Sequence, residues 1–335
     1  MRILFLTLLL TNLVFSAVNK PVGAVRAAAA GDFFRHVQTG KNYSESWDYV
    51  FVLDNGAKAY VTYTWLNSSN EIGTQFSVWN FNGKSSNVGR IYPTERYKED
   101  KSANTISIKD EYKMEKLPGT GHRVLFTADK NGKYFLDLKF TSAQAAQIPG
   151  DGVFEVNGQK YGLYVHIPYG RVEGRIGINN DTIAVKGYGY MDHSWSSDDA
   201  VKLISRSFVF SSTTLEKSAN KIAGRINVSP SGEVFGYAVS AIAGTAAELA
   251  MPIQILDNGS VYNQKKFPGN VEIKWNKEEF PALSFAAVHQ EKYALLANMG
   301  IPKIAISAKG GDIFHLRGRS KTQHWGRVDW IISGK

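Results

Sequence analysis

From Trp47 onward, apolar and polar residues alternate in short runs separated by turn-forming residues. In WDYVFVLDNGAKAYVTYT, Tyr49, Phe51 and Leu53 alternate with other positions before the turn signal Asp54-Asn55-Gly56. Such alternation on both sides of an Asn-Gly pair predicts two antiparallel strands joined by a hairpin. Similar turn signals recur further on, at Asn82-Gly83, Pro118-Gly119 and Asn131-Gly132. Strand-like segments that recur about every 8–12 residues predict a β-sandwich or a β-barrel.

A second series of strand-like segments follows in the C-terminal part of the chain, including KLISRSFVFSSTT, GNVEIKWN and KIAISAKGGDIFHLRG. The segment 277–300 fits this pattern less well and is also compatible with a short helix. The polar stretch 195–202 is rich in Ser and Asp, which is typical of a boundary between two units. The sequence therefore predicts an all-β protein with a leader at 1–30, an N-terminal domain at 31–198 and a C-terminal domain at 199–335.

The N-terminus has the pattern of a targeting segment. Met1-Arg2 is a minimal basic start, and an almost continuous apolar run covers 3–15. That run is too short for a comfortable membrane span, and small residues follow at 16–17 and again at 27–30. We predict a secretory signal peptide with two candidate cleavage regions, and hence a secreted or periplasmic protein without a stable membrane span after cleavage. An uncleaved anchor is the alternative.

Composition and charge narrow the function classes. Of the 335 residues 43% are hydrophobic and 12% aromatic, which allows a sizeable core. The formal charge is +9, but the lysines and arginines are scattered, so a nucleic-acid partner is not expected. Cysteine is absent, which excludes disulfides, thiol nucleophiles and thiolate metal sites. None of the seven histidines forms a close pair with metal-ligand spacing, and neither a metal nor an organic cofactor is expected.

The stretch VKGYGYMDHSW, residues 185–195, contains the most distinctive chemistry. An extended strand directs successive side chains to opposite faces. The alternation groups Tyr188, Tyr190, Asp192 and Ser194 on one face, and Met191, His193 and Trp195 on the other. Asp192 and His193 then cannot form the relay of a Ser–His–Asp triad. His193 beside Trp195 places a titratable group against an apolar wall, which suits proton transfer to a poorly polar substrate. The alternative is a core histidine packed beside a core tryptophan.

Two windows of the chain echo each other. In the first, Asp181, Gly187 and His193 are spaced six residues apart; in the second, Asp312, Gly318 and His324 have the same spacing. A tryptophan follows each histidine, at Trp195 and Trp325. This predicts a duplicated β unit, with chance similarity as the alternative. His324 and Trp325 are therefore candidate ligand-binding residues.

The motif G-x-G-Y-x-D-H-x-W is formed by Gly187, Gly189, Tyr190, Asp192, His193 and Trp195. It resembles the signature of the AttH-like superfamily, which includes the carotenoid 1,2-hydratases (hydroxyneurosporene synthases). The preceding GRIGINNDTIAVKG is similar to the pattern of glycines and hydrophobic residues that comes before the signature in that family. The resemblance covers about twenty residues closely, and Ser196 stands where the family has a glycine after the tryptophan.

The resemblance implies two tandem lipocalin-like antiparallel β-barrels packed side by side, with a hydrophobic-ligand site at or between them. Members of the family include Diels-Alderases and other pericyclases, hydratases of a terminal isoprenoid double bond, and proteins associated with lipid carriage. The family's functional histidine, tryptophan and acidic residue correspond to His193, Trp195 and Asp192. The further acidic residue that the hydratases use as a proton donor has no convincing counterpart on the strands that follow.

An aromatic-rich segment, YGLYVHIPYGRVEGR, precedes the motif and contains Tyr164, His166 and Arg171. These side chains are candidates for the wall of a ligand pocket, with a plain barrel lining as the alternative.

We therefore expect a protein that acts on a hydrophobic isoprenoid, polyene or lipid-like small molecule, as a cofactor-independent cyclase, isomerase or hydratase. A non-catalytic carrier of such a ligand is the alternative, and a structural module without a ligand is a weaker third reading. The candidate catalytic residues are His193, Asp192 and Tyr190. The candidate ligand-binding residues are Trp195, Tyr188, Met191, Tyr164, His166, Arg171, His324 and Trp325.

Overall fold

The computed structural model of the chain describes residues 18–129, 132–142, 145–198, 200–213, 221–241, 247–257, 261–262, 265–268, 270–280, 282–293, 308–318 and 323–333. Nearly every element within these ranges is a β-strand, and the strands form two large antiparallel sheets. The predicted all-β class is confirmed. Among the described residues, no helix is long and apolar enough to cross a membrane. The apolar run 3–15 lies outside them.

The first large sheet is built from the N-terminal half. Its twelve described strands are β2 (Ser44–Leu53), β3 (Lys58–Leu66), β4 (Glu71–Phe81), β5 (Lys84–Pro93), β6 (Tyr97–Asp100), β7 (Thr105–Ile108), β8 (Tyr112–Leu117), β9 (Gly121–Asp129), β10 (Lys133–Ser142), β12 (Val153–Val156), β13 (Gln159–Ile178) and β14 (Asp181–Ser196). The order is β5-β4-β3-β2-β14-β13-β10-β9-β8-β7-β6, with β12 beside β13. The edge strands β5 and β6 are joined by one 3₁₀ helix, Thr94–Arg96, so the sheet forms a nearly closed barrel.

The segment before β2 packs against this N-terminal barrel. Strand β1 (Arg26–Ala27) pairs with β11 (Gln147–Ile148), and Asn19 forms an isolated bridge with Glu155. The 3₁₀ helix Ala30–Phe33 follows and places the Phe33 side chain in the barrel core. Part of the predicted leader therefore contacts the folded body.

The second large sheet follows the one-turn α-helix Ala200–Leu203. Its nine described strands are β15 (Arg206–Thr213), β16 (Lys221–Val228), β17 (Val234–Ala241), β18 (Glu248–Ala250), β19 (Pro252–Asp257), β22 (Asn270–Trp275), β23 (Leu283–Tyr293), β24 (Ala308–Gly318) and β25 (Gln323–Ser333). A separate pair is formed by β20 (Val261–Tyr262) and β21 (Lys265–Pro268). Strand β23 covers 283–293 of the segment 277–300, for which the sequence left a short helix open, and 294–300 lie outside the described residues.

Both sheets wind in the same way. In each, the first strand pairs with the last one: β2 with β14, and β15 with β25. On its other edge, the first strand is followed by the next three strands in chain order, β3 to β5 in the first sheet and β16 to β18 in the second. The second order is β18-β17-β16-β15-β25-β24-β23-β22-β19, and its edge strands β18 and β19 are separated by Met251 alone. The fold is thus two tandem antiparallel barrels of one lipocalin-like design.

The repeated spacing in the sequence does not mark equivalent positions in these sheets. Asp181 to His193 runs along the single strand β14, whereas Asp312 lies on β24 and His324 lies on β25. The second window therefore crosses from one strand to the next. His193 lies near the end of β14 and His324 at the start of β25, although these two strands have matching places in their sheets.

Strand β14 is buried on both faces along its second half. Met191 and Trp195 belong to the apolar core inside the N-terminal barrel. Tyr190 belongs to a different apolar cluster, which also includes Val209 and Tyr237 of the second sheet. The close approach of β14 to β2 requires glycine at Gly187, because a Cβ there would collide with the backbone of β2.

A buried cation joins the two barrels. On β16, Arg225 Nε lies 2.8 Å from Asp192 Oδ2 on β14, and Arg225 Nη2 lies 2.7 Å from Asp48 Oδ2 on β2. The backbone N–H of Val165 also donates to the Tyr237 hydroxyl across the interface, at 2.8 Å. Because two carboxylates and one guanidinium lie in a largely dry contact, each charge depends on the others for stabilisation.

Replacing Arg225 by methionine should destabilise the fold by about 3–5 kcal/mol, because it leaves the buried carboxylate of Asp192 and the partly buried carboxylate of Asp48 without their cation. The measurement is the free energy of unfolding from urea denaturation at pH 7. Arg123→Met is the matched control: Arg123 makes a similar bidentate pair with Asp137 at a surface site, where such a pair contributes about 0–1 kcal/mol. Equal effects of the two substitutions would contradict the interface role of Arg225.

Candidate active site

The geometry of the candidate site follows from the pairing of β14 with β2. His193 is the cross-strand neighbour of Trp47, Trp195 that of Glu45, and Asp192 that of Asp48. The side chains of β14 alternate between the two faces, as the period-two pattern predicts. His193 points into the N-terminal barrel, whereas Asp192 points towards the second sheet.

His193 is fully buried, and both of its ring nitrogens have protein partners. Nδ1 lies 2.6 Å from the carbonyl oxygen of Asp32, and Nε2 lies 2.7 Å from Glu45 Oε1. A carbonyl oxygen can only accept a hydrogen bond, so Nδ1 carries a proton. The short contact to Glu45 requires a second proton between Nε2 and the carboxyl group. The indole of Trp47 stacks on the imidazole at 4.6 Å and an angle of 12°.

Glu45 is the acidic partner that holds this second proton in place. Burial by itself raises the pKa of Glu45, but hydrogen bonds from His193 and His36 outweigh it, and the pKa lies below its ordinary value. Glu45 is therefore the acceptor of the hydrogen bond from His193 Nε2. The Tyr43 hydroxyl lies 2.7 Å from Oε2 and also 2.7 Å from the His36 carbonyl oxygen, and the backbone N–H of His36 donates to Oε1 at 2.8 Å. The result is a buried histidine–glutamate pair that shares one proton.

His36 connects this pair to the surface. Its Nδ1 lies 3.1 Å from Glu45 Oε1, and its side chain is 25% exposed, whereas those of Glu45 and His193 are fully buried. The His36 ring is parallel to that of Tyr164 at 5.1 Å and lies 5.8 Å from that of Trp195. His36 therefore lies between solvent and the His193–Glu45 pair, against an aromatic wall.

Trp195 and Tyr164 form that wall because the backbone leaves room for them. The Trp195 Nε1–H donates to the Tyr164 hydroxyl at 3.4 Å. Gly162, the cross-strand neighbour of Trp195, lies where any Cβ would collide with the indole. Met191, another predicted ligand contact, is fully buried in the barrel core.

His166 lies on the same side of the barrel as His193. Its Nε2 donates to the Asp32 carbonyl at 3.1 Å, so one carbonyl oxygen accepts from both rings. Burial and the neighbouring His193 lower the pKa of His166 to about 3. Burial also places the pKa of His122 well below its ordinary value. Both rings are therefore neutral at physiological pH.

Two of the three predicted catalytic residues lie away from His193. The Tyr190 hydroxyl donates to Asp192 Oδ2 at 2.6 Å, and both groups face the second sheet, where Arg225 binds Asp192. Burial raises the pKa of Asp192 to about 6 and outweighs the lowering effect of Arg225. For Arg225, burial lowers the pKa, but attraction to Asp192 and Asp48 outweighs burial, so the pKa of Arg225 is raised. The sheet therefore separates Asp192 and Tyr190 from His193.

The remaining predicted contacts lie further out. Arg171 is exposed, and Tyr188 is 37% exposed with its ring 4.6 Å from that of Tyr169. Lys221 of the second sheet lies 4.2 Å from the Tyr169 ring centre. These groups form an outer patch rather than part of the barrel interior. His324 and Trp325 lie on β25, opposite Ser212 and Ser211, and their side chains are outside the described part of the structure.

No motif in the sequence marks Glu45, His36 or Tyr43 as site residues. The sequence did contain a signal for Glu45. The inward-facing positions of β2 alternate, so the positions two and four residues before Tyr49, Trp47 and Glu45, face inward as well. His36 and the Asp32 carbonyl carry no such pattern, since both belong to an irregular segment. Their place beside His193 depends on tertiary structure.

His36, Glu45 and His193 could also hold a metal ion. Each offers one ligand atom, and these atoms lie within 4.8 Å of one another. Two imidazoles and a carboxylate form a ligand set that zinc accepts. In the described structure the same atoms are joined by hydrogen bonds, so proton sharing accounts for their convergence.

The fold defines the class of protein: a tandem lipocalin-like protein of AttH-like architecture. The structure is similar to that of a protein assigned as an AttH (NE1406) from Nitrosomonas europaea, with a TM-score of 0.62, 14% identity, and coverage of 94% of this chain and 100% of that one. It is also similar to kievitone hydratase from Nectria haematococca, with a TM-score of 0.55, 14% identity, and coverage of 88% and 89%.

A third similar structure is CghA with Sch210972, with a TM-score of 0.58, 12% identity, and coverage of 88% of this chain and 89% of that one. At these identities the likeness shows the fold, and the AttH-like architecture implied by the sequence motif is confirmed. No family model matches the sequence, and no curated protein matches it either.

The raised pKa of Asp192 gives a pH test with a defined sign. The folded protein binds this proton more tightly than the unfolded chain, whose Asp pKa is about 3.9. The resulting stabilisation is present below pH 4 and is lost as the pH rises through about 6. The unfolding free energy of the wild type minus that of Asp192→Asn should therefore fall between pH 4 and pH 7, as measured by urea denaturation.

Asp137→Asn is the control for this experiment. The hydrogen bond from Arg123 lowers the pKa of Asp137, so its stabilisation is present at neutral pH and is lost only at acidic pH, below about 4. A wild-type-minus-Asp192→Asn difference that stays flat, or that rises with pH, would contradict the assignment of Asp192.

Proposed function

We propose that the protein is a cofactor-independent enzyme that acts on a hydrophobic small molecule, of the isoprenoid, polyene or lipid-like kind, as a cyclase, isomerase or hydratase. The observation that carries the proposal is the buried His193–Glu45 pair, which holds a proton among aromatic rings. Similarity in fold to kievitone hydratase and to CghA supports a small-molecule substrate.

The pair supplies a positioned hydrogen-bond donor. In the proposed reaction, a carbonyl or hydroxyl oxygen of the substrate replaces the Asp32 carbonyl as the acceptor of the His193 Nδ1–H, which polarises it. Glu45 holds the ring in position through Nε2 and stabilises its positive charge. An imidazolium is a moderate acid, which suits polarisation of an oxygen better than protonation of an unactivated alkene. A cyclisation or isomerisation therefore fits the site better than alkene hydration.

The aromatic walls contribute in a different way. Trp47, Trp195 and Tyr164 surround the His193–Glu45–His36 group and offer flat apolar surfaces. Holding a flexible polyene in one reactive conformation removes much of the entropic barrier to ring closure. Electron-rich indole faces also stabilise positive charge that develops on a hydrocarbon chain.

A carrier function is the second candidate, and one observation favours it. Both nitrogens of His193 already have protein partners, so the fold satisfies this side chain without a substrate. In a carrier these polar groups would only stabilise the fold, and the ligand would meet apolar surface alone.

We also propose that the protein is exported. Cleavage near residues 16–17 would preserve β1 and the ion pair between Arg26 and Asp32, whereas cleavage at 27–30 would remove Arg26. The packing of this segment on the barrel supports the earlier position.

Glu45→Gln should lower the turnover of a converted substrate by about 100-fold or more, because the amide cannot stabilise an imidazolium at His193. The measurement is product formation by liquid chromatography and mass spectrometry from a panel of isoprenoid and polyene carbonyl compounds. Glu173→Gln, at an exposed position on β13, is the control and should retain wild-type turnover.

If the wild type converts no compound, and the same lipid co-purifies with the wild type and with Glu45→Gln, the carrier function replaces the enzymatic one. Elemental analysis of the wild type and of Glu45→Gln tests whether the site binds a metal ion instead. A bound metal lost only in Glu45→Gln would overturn the proton-sharing account.

A further inference from the structure

Phe33 fills part of the N-terminal barrel, although it does not belong to a barrel strand. It lies at the end of the 3₁₀ helix Ala30–Phe33, and its side chain is completely buried. The ring makes edge contacts with the rings of His122 at 5.1 Å and His166 at 6.2 Å. A short irregular segment therefore inserts one aromatic ring among the polar groups of the interior.

The segment that carries Phe33 is attached mainly through side chains. Between residues 29 and 36, the backbone-to-backbone hydrogen bonds of the described structure are local, from Asp32 N to Ala29 O and from Phe34 N to Gly31 O. The Trp47 indole N–H donates to the Phe33 carbonyl at 2.8 Å. A segment without ladder hydrogen bonds can leave its place at lower cost than a strand can.

The Asp32 carbonyl attaches this segment to two histidines of the barrel interior. It accepts from His193 at 2.6 Å and from His166 at 3.1 Å. A carbonyl oxygen of the chain thus occupies the position at which a substrate oxygen would meet the proposed donor.

Two buried polar atoms lack partners in the described structure, one on the His122 ring that Phe33 contacts and one on Tyr49, the ring next to His122. His122 Nδ1 and the Tyr49 hydroxyl are both buried without a hydrogen bond, and their rings lie 6.4 Å apart. Phe140 lies 5.8 Å from each of these two rings. Buried polar atoms without partners are costly, and a ligand that satisfies them recovers that cost.

We propose that Phe33 and the Asp32 carbonyl occupy a ligand pocket, and that a neutral aromatic or polyene ligand with at least one hydroxyl or carbonyl group displaces them. The ligand's apolar part takes the place of the Phe33 ring between His122 and His166. One ligand oxygen bonds to one of the unpaired groups, His122 Nδ1 or the Tyr49 hydroxyl. Both histidines are neutral, so the pocket offers neutral hydrogen-bonding partners, which suit a neutral ligand.

Displacement would also expose the proposed donor. Once the Asp32 carbonyl leaves, the Nδ1–H of His193 faces the vacated space, where a second oxygen of a substrate replaces the carbonyl as its acceptor. This link to catalysis depends on the proposed function, whereas the pocket itself does not. Binding and turnover can therefore be tested separately.

The experiment uses Phe33→Ala in the full chain, with 2-naphthol and naphthalene as probes and isothermal titration calorimetry as the readout. Without the competing ring, the variant should bind 2-naphthol about tenfold more tightly than the wild type does. It should also prefer 2-naphthol to naphthalene by about fivefold, the effect of one net hydrogen bond. The double variants Phe33→Ala/His122→Leu and Phe33→Ala/Tyr49→Phe identify the partner, because the preference should disappear in one of them.

Phe76→Ala is the matched control. Phe76 is equally buried, but it lies on β4 and packs on Phe126 and Tyr134. Equal binding of both probes by the two alanine variants, or a lack of preference for 2-naphthol in Phe33→Ala, would reduce Phe33 to an ordinary core residue and overturn the proposal.

Two further measurements keep the proposal testable if Phe33→Ala is unstable, and separate ligand binding from the proposed catalysis. Hydrogen exchange at residues 31–36 of the wild type should accelerate when saturating 2-naphthol is added, and unchanged exchange would contradict displacement. Phe33→Ala/Glu45→Gln should bind 2-naphthol like Phe33→Ala. Retained binding without turnover in any variant would leave the pocket intact and remove only the proposed catalysis.

Discussion

The arrangement of the molecule depends on one strand, β14, whose second half is buried on both faces. Its inward side chains complete the core of the N-terminal barrel, and its outward side chains form the contact with the second sheet. On a strand that is buried on both faces, a polar group without a partner is costly. The adjacent residues Asp192 and His193 therefore pair in opposite directions, one with Arg225 and the other with Glu45.

These two charge pairs have different consequences. Arg225 connects strands from both barrels, so the interface and the protonation of Asp192 are coupled. The Glu45–His193 pair lies within one barrel and is connected to the surface through His36. The first arrangement favours a structural role at the interface, and the second provides a proton at a defined atom beside aromatic rings, which is the requirement for acid catalysis on an apolar substrate.

The similar solved structures share the two-barrel fold at 12–14% identity, so the fold persists while most side chains change. Function must then be argued from the site. Within this site, the irregular segment around Phe33 contributes as much as the strands do. It supplies the carbonyl that orders His193, and its aromatic ring fills the space beside two neutral histidines.

The sequence by itself determined the all-β class, the turns of the first hairpin and the division of β14 into two faces, because these follow from local periodicity and turn chemistry. The motif around His193 also indicated the AttH-like fold. The sequence did not reveal Glu45 as the partner of His193, His36 as a neighbour of Glu45, or Arg225 as the partner of Asp192. The repeated spacing around Gly318 proved to span two strands, β24 and β25. Only the tertiary structure decided these points, because contacts between residues up to 177 positions apart depend on strand order and register, which no local pattern encodes.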